Sequence, residues 1–563
     1  RAGRRADSAA LILTYAQRKP HDLSKYADPV SLVSGKMRAP FVELENERIL
    51  QRHVYSLFFA EYFQYASFSG RMRAGAFYLT DTGEDFSVQL ESWLTSDILP
   101  VTLGDNHAKK MLTWLTSNKA TLEPRFMSIL PSVLQGKAAE LWEKTCSDFE
   151  DLILSVLAKF HDEVVEYSQL MRSSYDRNDG FRGNRLKGVL RGILTKDMIS
   201  NLSRSNLIPK YGFPVDTVSL QPRHQDSNAF RVELDRDLSI AIFEYAPGST
   251  VVAAGFNWES IGLSYVPNKE FKTMEYASCP NCGHFNEKIE SSDQNLSNCA
   301  ECQDPLPKTK KYLIPEWGFI ATGGSKKPGD APRMVSTQGR SLYLASYGQD
   351  SDQLQPQKLG DRVTAKLRTI ADLVVVNSGP NITSGKGFGI CPNCKAAFDG
   401  TSKIGKKHPV PSQPDRSCDR ELMDWYHLGH KYQSDIVLLE IDFGGTDIQP
   451  KDYTKVVGYA LLEGASKGLQ IAHDDIDVIS LPPKGSVMNV ALVDAVPAGA
   501  GFAKLIANNI ATVFETAEEI VTGCECGLDT SCYECLRTYR NQREHDSLIR
   551  DEAIVAFDAI RSI

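Results

Sequence analysis

The spacing of hydrophobic residues predicts helices first, then strands, then an alternation of the two. From about residue 40 to 214, apolar side chains recur every three or four positions, and the series from Phe149 to Met171 continues for about six turns. Between about 215 and 376 short strand-like runs dominate, including a hairpin expected from 240–245 and 250–253. Beyond 377 the pattern predicts strands at 436–442, 476–481 and 490–494, and helices at 453–466 and 503–522.

This succession predicts a multidomain α+β fold. Its four expected segments are an N-terminal remnant at 1–39, a helical or winged-helix-like connector at 40–214, a β-rich region at 215–376 and an α/β domain at 377–563. A chain of 563 residues, 42% of them hydrophobic, is long enough to bury several cores.

Composition narrows the class of protein. The sequence has no run of eighteen apolar residues, no secretory signal and no initiator methionine, so we expect a cytoplasmic piece of a longer protein with no membrane partner. Its formal net charge of -8 argues against a surface that attracts nucleic acid everywhere. Contact with phosphates would have to come from local basic patches.

One group of cysteines has the spacing of a zinc ribbon. Cys279 and Cys282 form a CxxC pair, and sixteen residues later Cys299 and Cys302 form another. Each CxxC turn aims two thiolates at one point, so the two pairs together supply the four ligands of tetrahedral zinc.

A second group predicts another zinc site with a less certain fourth ligand. Cys391 and Cys394 form a third CxxC pair, and His408 and Cys418 follow it. His427 or His430 could replace His408, and those two histidines are expected on a helical turn before strand 436–442.

The third group lies close to the end of the sequence. It has four cysteines within twelve residues, and its alternative to zinc is a pair of disulfides. Since all three groups reach four protein ligands, we expect about three structural zinc ions, with only Cys146 left over as a core residue. The cysteines of this group are Cys524, Cys526, Cys532 and Cys535.

Two basic segments are candidates for DNA contact. The first carries Arg182, Arg185, Lys187 and Arg191, which suit a phosphate backbone, although they would equally suit a helix face packed on acidic neighbours. The second follows the last cysteines, where a helix is expected to present basic residues beside an aromatic ring on which a base can stack. Its residues are Arg537, Tyr539, Arg540 and Arg543, and the alternative is that these arginines pair with Asp529, Glu534 or Glu544.

The first five residues, RAGRR, precede a strand-like run at 10–15. This pattern resembles the end of motif VI in superfamily 2 helicases, where it lies in the second RecA-like domain. The resemblance implies that 1–39 is a remnant of that domain and that Arg1 and Arg4 reach the ATP phosphates, where a guanidinium stabilises developing charge.

An ATP-binding loop is missing from the sequence. The nearest candidate, 379–387, has one residue too many between its glycines, and Gly387 stands where a Ser or Thr should hold magnesium. No DEAD-like or DEAH-like box is present either. ATP and Mg²⁺ are therefore expected only in a longer parent protein, and the chain alone should be inactive as an ATPase.

The C-terminal part resembles a known helicase domain. GHKYQSDIVLLEID, VDAVPAGAGFAKLI and CECGLDTSCYECLRTYRNQREHDSLI are similar to the cysteine-rich domain of MrfA-type helicases and of the large helicases of anti-phage systems such as Druantia and DISARM. The resemblance implies a zinc-stabilised accessory part of a DNA helicase or translocase, in phage defence or DNA repair. Implied partners are single-stranded DNA or a duplex junction, the rest of the motor and other defence subunits.

Two other functions remain open at this stage. The zinc modules could form a non-catalytic scaffold that binds a partner subunit. Alternatively, Asp435, Glu440, Asp442 and Asp494 could gather around magnesium in a nuclease, because Glu440 and Asp442, two apart on a strand, would face the same way.

Overall fold

The computed structural model describes Tyr26, Lys327 and most of the chain from residue 46 onward. The described ranges are 46–67, 72–81, 86–95, 104–209, 216–223, 226–324, 340–351, 354–380, 385–400, 407–420 and 423–561. Arg1, Arg4 and the strand expected at 10–15 lie outside them. No helix among these ranges is both long and apolar enough to cross a bilayer.

The first described part is helical, as the spacing of apolar residues predicts. Asn46 begins the first helix by accepting hydrogen bonds from the backbone N–H groups of Arg48 and Ile49, and Asp179 and Asp197 cap later helices in the same way. The helices are α1 (Glu47–Tyr65), α2 (Ala74–Leu79), α3 (Phe86–Thr95), α4 (His107–Ile129), α5 (Ala138–Asp176), α6 (Gly180–Leu194) and α7 (Met198–Arg204), with a 3-10 turn at Ser132–Lys137.

Aromatic side chains form the core of this helical part. The ring of Phe58 on α1 lies 5.2 Å from that of Phe149 on α5 and 5.8 Å from that of Trp142, both in edge-on geometry. All three side chains are buried. The apolar face that recurs along these helices is therefore turned towards a core.

A five-stranded sheet follows the helices. Its spatial order is β2 (Asp235–Asp237), β1 (Thr217–Pro222), β8 (Phe319–Gly323), β4 (Phe256–Leu263) and β3 (Thr250–Ala253). The expected strand at 240–245 is wrong, because 240–244 lie in helix α8 (Leu238–Glu244), which Asp237 caps at its start and Tyr245 follows at its end. The hairpin here instead joins β3 to β4.

A larger sheet joins the β-rich region to the C-terminal part. Its two longest strands, β12 (Val363–Asn377) and β17 (Asp424–Asp442), pair antiparallel along almost their whole length, across the expected boundary at 376/377. The other strands are β5 (Thr273–Ser278), β6 (Phe285–Ile289), β7 (Lys310–Leu313), β9 (Arg340–Ser346), β10 (Gln349–Asp350), β11 (Gln357–Leu359), β13 (Phe388–Ile390), β14 (Ala397–Phe398), β18 (Ile476–Lys484) and β19 (Val487–Asp494), beside a separate hairpin of β15 (His408–Val410) and β16 (Gln413–Cys418).

Four helices complete the C-terminal α/β part. They are α9 (Pro450–Gly468), α10 (Phe502–Asn508), α11 (Ile510–Gly523) and α12 (Arg550–Arg561). The single helix expected at 503–522 is interrupted at Asn509, while the expected helix at 453–466 lies within α9. These helices share one buried core with β12, β17 and β19. The mixed α and β architecture predicted from the sequence is confirmed.

A buried group of charges links the helices to the five-stranded sheet. The Glu316 carboxylate lies 3.2 Å from Lys196 Nζ and 3.4 Å from Arg204 Nη1, and Arg204 Nε lies 2.7 Å from Asp216. Burial alone would raise the pKa of Glu316, but Lys196 and Arg204 outweigh it and lower the pKa to about 2. Glu316 is therefore ionised throughout the ordinary pH range.

Glu316→Gln should weaken the fold and reduce its acid sensitivity. Because the folded-state pKa lies below the ordinary 4.5, the carboxylate contributes stability that is present above about pH 4.5 and is lost as the pH falls towards about 2. The variant leaves Lys196 and Arg204 without that partner, so we expect a loss of about 3 kcal/mol at pH 7 in urea unfolding.

The difference between wild type and variant should shrink between pH 4.5 and 3. Glu244→Gln is the matched control, since Glu244 pairs with Arg236 where both side chains are about half exposed. It should cost less than about 0.5 kcal/mol. A difference for Glu316→Gln that stays constant with pH would contradict the assignment.

Candidate metal centres and basic segments

The first cysteine group is built from two turns with the same backbone geometry. In the turn at Cys279, the N–H of Gly283 donates to the Cys279 carbonyl at 2.9 Å, and the Cys279 N–H donates to the carbonyl of His284 at 2.9 Å. The turn at Cys299 repeats both bonds with Gln303 and Asp304, at 3.0 and 2.8 Å. His284 thus serves the turn through its backbone and is not a member of the sulfur cluster.

The residue after each second cysteine takes a left-handed conformation. The φ angle is +75° at Gly283 and +64° at Gln303. This conformation reverses the chain tightly enough to turn both thiols of a pair to the same side, as zinc-ribbon turns require. Asn286 then supports the site from outside, with its amide nitrogen 3.5 Å from Cys299 Sγ and its oxygen accepting from the Ala300 N–H at 2.8 Å.

The sulfur atoms lie at the spacing that zinc needs. Four ligands about 2.3 Å from one ion lie about 3.8 Å from one another, and a disulfide would bring two sulfurs to about 2.05 Å. Cys279 Sγ lies 3.5 Å from Cys302 Sγ, and Cys282 Sγ lies 3.6 Å from Cys299 Sγ. The residues present therefore fit a zinc ion with four thiolate ligands.

The second group joins a turn to a hairpin. Cys391 and Cys394 sit in a turn between β13 and β14 that repeats the bonds of the first group, with Lys395 at φ +60°. His408 and Cys418 are direct cross-strand partners on β15 and β16. Cys391 Sγ lies 3.8 Å from Cys418 Sγ, and Cys394 Sγ lies 3.2 Å from His408 Nε2.

His408, not His427 or His430, is the histidine that the fold brings to this group. Burial lowers the pKa of His408, which favours the neutral imidazole that binds metals. Its Nδ1 is buried and has no hydrogen-bond partner among the described residues. His427 instead lies on β17, where its Nδ1 is 2.7 Å from Tyr276 Oη and burial lowers its pKa to about 4. The helical turn expected for His427 and His430 is wrong, because both lie within that strand.

The third group closes the loop after helix α11. Neighbouring sulfurs are 3.5 to 3.8 Å apart, so the cysteines are not joined as disulfides. The Cys532 N–H donates to Cys535 Sγ at 3.2 Å, and buried Arg550 donates to the carbonyls of Val521 and Cys526 at 2.9 and 2.7 Å. The group thereby ties the end of α11 to the start of α12.

Sequence reasoning missed the residues that support the cysteines. Asn286, Lys395 and Arg550 orient the turns or their flanking helices, but none of them is a ligand type in a familiar motif. The motif Cys-Pro-Asn-Cys occurs at both 279–282 and 391–394, and it was the available signal. Two identical motifs are expected to form the same turn, with the residue after the second cysteine in the same backbone conformation.

The first basic segment forms helix α6, and most of its charges have partners inside the protein. Arg182 donates to the carbonyl of Ser291, and Arg191 pairs with Glu91. Arg185 is largely buried, and although burial opposes the shift, Tyr426 and the nearby Glu290 raise its pKa. Lys187 is partly exposed and forms no ion pair with a described residue.

The second basic segment is not the regular helix that the sequence predicts. Residues 536–541 have no regular secondary structure, and a 3-10 turn follows at Gln542–Ser547. Arg537 donates to Ser531 Oγ and Thr530 Oγ1, both at 3.1 Å, and Arg540 lies 3.2 Å from Asp474. Arg537 and Arg540 therefore form hydrogen bonds and an ion pair within the domain. Their partners are not the acidic residues that the sequence analysis considered.

The remaining two residues of this segment differ in what can be described. Tyr539 is 47% exposed, so its ring is accessible. The side chain of Arg543 lies outside the described part of the structure.

The four carboxylates considered for magnesium do not meet. Asp494 is buried, and it accepts hydrogen bonds from the backbone N–H groups of Val496, Ala500, Gly501 and Phe502. The other three are held by separate neighbours: Asp435 by Arg48, Glu440 by Lys366, and Asp442 by Ser486. Among the described residues, only the three cysteine groups have ligand atoms close enough for a shared ion.

Comparison with known proteins bears on the third group. Residues 457–536 match the family model described as "MrfA Zn-binding domain". The match runs from α9 to just beyond Cys535 and contains all four cysteines of the group. Residues 457–536 are therefore similar to an MrfA-type zinc-binding domain.

A longer curated protein is similar to almost the whole of this chain. The Druantia protein DruE of Escherichia coli (strain UMEA 4076-1) is 24% identical over an alignment of 602 positions that covers 98% of this chain. The chain spans 31% of the length of that relative. The resemblance to MrfA-type and Druantia proteins that the C-terminal motifs indicate is thus confirmed.

Two solved structures were also matched, both of the DUF1998 helicase MrfA. The DNA-bound form shares 12% identity at a TM-score of 0.28, with 61% of this chain and 34% of that chain covered. The other form shares 9% identity at a TM-score of 0.29, with 61% and 35% covered. Scores this low carry no argument about how the MrfA-type domain is arranged against its neighbours.

Removing one ligand should remove one zinc ion. We expect three zinc ions per wild-type chain by inductively coupled plasma mass spectrometry, and two after Cys394→Ser or Cys526→Ser, because a tetrahedral site rarely survives with three ligands. Zinc-site formation contributes on the order of 10 kcal/mol in peptides, so either variant should also loosen its module.

Cys146→Ala provides the matched control. Cys146 is buried in α5 and belongs to none of the three groups, so this variant should keep three zinc ions. One zinc ion or none in the wild type after gentle purification would show that the groups do not hold the metal.

Proposed function

We propose that this chain is the DNA-engaging, zinc-stabilised accessory part of an ATP-dependent superfamily 2 helicase or translocase that acts in bacterial phage defence or DNA repair. The observation that carries the proposal is the MrfA-type domain within a chain whose similarity to DruE extends along almost its whole length. The motor that hydrolyses ATP is assigned to a longer parent, with Arg1 and Arg4 at its phosphates.

The proposed zinc ions are structural. In each group four protein ligand atoms lie within 4.8 Å of one another, so they would fill the four positions of tetrahedral zinc and leave none for a catalytic water. Zinc would supply the link between segments that are distant in sequence. Backbone hydrogen bonds shape the CxxC turns that carry the ligands of the first two groups, and the ion would join each turn to its partner segment.

We assign DNA contact to those residues of the two basic segments that are exposed to solvent. Lys187 is the clearest candidate, because it is partly exposed and, among the described residues, has no ion-pair partner. Exposed Tyr539 could stack a base. Arg537 and Arg540 hold the fold of the last domain and are assigned a structural contribution.

A non-catalytic interaction scaffold is the second candidate. The internal partners of Arg185, Arg191, Arg537 and Arg540 favour it, because charges already neutralised by the protein add little attraction for phosphates. A scaffold would bind DNA weakly and with little dependence on salt.

Salt dependence separates the two candidates. Fluorescence anisotropy with a labelled single strand and with a junction duplex should give affinity that falls steeply with salt for any base sequence. Lys187→Ala should reduce the slope of log K against log salt by about 0.7 to 0.9 if Lys187 neutralises one phosphate.

Two comparison variants make this test specific. Lys358→Ala removes an exposed lysine on β11 and should leave the slope unchanged. Arg537→Ala should lower the melting temperature, yet keep the wild-type slope while the protein is folded, because its hydrogen bonds are internal. Weak binding with a flat salt profile would favour the scaffold.

ATP hydrolysis should depend on the parent protein. The isolated chain should show no DNA-stimulated ATPase activity, whereas the parent should show it and lose it with Arg4→Ala, since a motif VI arginine stabilises charge in the transition state. Lys358→Ala in the parent controls for a general effect of losing a basic residue. Turnover by the isolated chain would contradict the proposed division of labour.

A further inference from the structure

A short loop after strand β4 presents an aromatic ring to solvent. The loop comprises residues 264–269, and its Tyr265 side chain is 39% exposed. The Lys269 N–H donates to the Val266 carbonyl at 3.1 Å, and Asn268 between them has a φ of +63°, as in a tight turn. Tyr265 therefore directly precedes this turn, and Lys269 closes it.

Both ends of this loop are anchored on the protein. At its start, the Ser264 N–H donates to the Gly318 carbonyl at 2.9 Å. Just beyond its end, the ring of buried Phe271 lies 4.5 Å from the ring of Trp317. Because the backbone of the loop is already held at both ends, a ligand that binds to Tyr265 would order little further chain.

Helix α6 lies directly against the end of the loop. A Cβ atom at Gly188 would lie only 3.2 Å from the backbone nitrogen of Glu270, which shows how closely the two segments approach. Lys187 and Arg191 are four residues apart on α6 and share one face. Arg73 extends this row, because its Nη1 donates at 3.3 Å to the carbonyl of the residue that follows α6.

Three basic side chains of this region have no carboxylate of their own. Among the described residues, Lys187, Lys269 and Arg73 form no ion pair. The neighbouring acids have other partners, namely Glu270 with Lys395, Glu91 with Arg191, and Glu316 with Lys196 and Arg204. The loop and helix α6 together therefore carry a local surplus of positive charge, although the whole chain is acidic.

The crowding of cations affects Lys269. Burial lowers the pKa of Lys269, Glu316 opposes this effect, and Arg73 and Arg191 lower the pKa further. Positive charges that repel one another gain stability when an anion lies between them. Phosphate groups are anions that arginine and lysine side chains bind well.

We propose that the surface formed by Tyr265, Lys269, Lys187 and Arg73 binds single-stranded DNA, with phosphates at the three basic side chains and an unstacked base on the Tyr265 ring. An aromatic ring beside cations is how proteins hold single strands without reading their sequence. The bases of a duplex are already stacked on one another and offer no free face to the ring. This inference rests on the proposed function, because it extends the DNA contact of Lys187 and specifies a single strand.

Two substitutions at Tyr265 test the stacking. The probe is a fluorophore-labelled strand of twelve thymidines, with binding followed by fluorescence anisotropy. Tyr265→Ala removes the ring and should lower affinity about fivefold or more, whereas Tyr265→Phe keeps the ring and should stay within about twofold of the wild type. Zinc content and melting temperature establish that each variant is folded.

An abasic strand separates stacking from charge. A twelve-unit strand of the same backbone without bases keeps the phosphates, so the wild type and Tyr265→Ala should bind it equally. Photocrosslinking gives a second readout that needs no variant. A thymidine strand in which 5-iodouracil replaces one thymine should crosslink to the wild-type peptide that contains Tyr265, as identified by mass spectrometry.

Lys269→Ala tests the phosphate contact. It should flatten the slope of log K against log salt for the thymidine strand by about 0.7, the value for one phosphate of a single strand. Lys358→Ala, which removes an exposed lysine on β11, is the matched control and should keep the wild-type slope.

The possible failures can be told apart. Wild-type affinity of Tyr265→Ala for the thymidine strand, or an equal loss on the abasic strand, would overturn the stacking. A wild-type salt slope for Lys269→Ala would overturn the phosphate contact. If Lys187→Ala still reduced the slope, either result would leave the proposed function intact. A flat salt profile of the wild type would contradict the proposed function and this inference together.

Discussion

The antiparallel pairing of β12 and β17 is the interaction on which the described β architecture depends. Both strands are long, and their register runs from Val363 opposite Ile441 to Asn377 opposite Leu428. The outer edge of β12 carries β9, β10 and β11, while β17 carries β19, β13 and β7. Burial along both strands makes a slip in register costly, because it would exchange core and solvent faces.

This pair also positions the cysteine groups. The turn with Cys391 follows β13, which pairs with the start of β17, and the ribbon with Cys279 follows β5, which reaches β17 through β7. The last group lies on the opposite side, after helices that pack on β12, β17 and β19. The sheet thus supplies a common base for the three cysteine groups, and the third group packs directly on the core of the C-terminal part.

The cysteine turns and the helices with a repeating apolar pattern were predictable from the sequence. The CxxC spacings identified three of the turns, and the helical part and α9 followed from their apolar periodicity. Residues 240–245 were misassigned because Ile240, Ile242 and Phe243 suit a strand by composition, whereas the capping carboxylate of Asp237 favours a helix. Asn509 similarly interrupts one long apolar pattern.

Long-range contacts were not predictable from the sequence. A run of arginines after Cys535 has the same appearance whether it faces DNA or the domain, and only the fold places Arg537 beside Thr530 and Arg540 beside Asp474. The pairing of β12 with β17 likewise joins strands that are distant in sequence. The spacing of residues in the sequence predicts contacts between near neighbours in the chain. Contacts between distant segments, which determine which side chains are exposed, are visible only in the folded structure.

The proposed role of the three cysteine groups is to hold zinc in closed structural sites. X-ray absorption at the zinc edge measures the ligands of all sites together. The three groups contain eleven cysteines and one histidine, so the account predicts a sulfur shell at about 2.3 Å with close to one nitrogen for every eleven sulfurs. A shell containing water or carboxylate oxygen, or markedly fewer sulfurs per zinc, would contradict it.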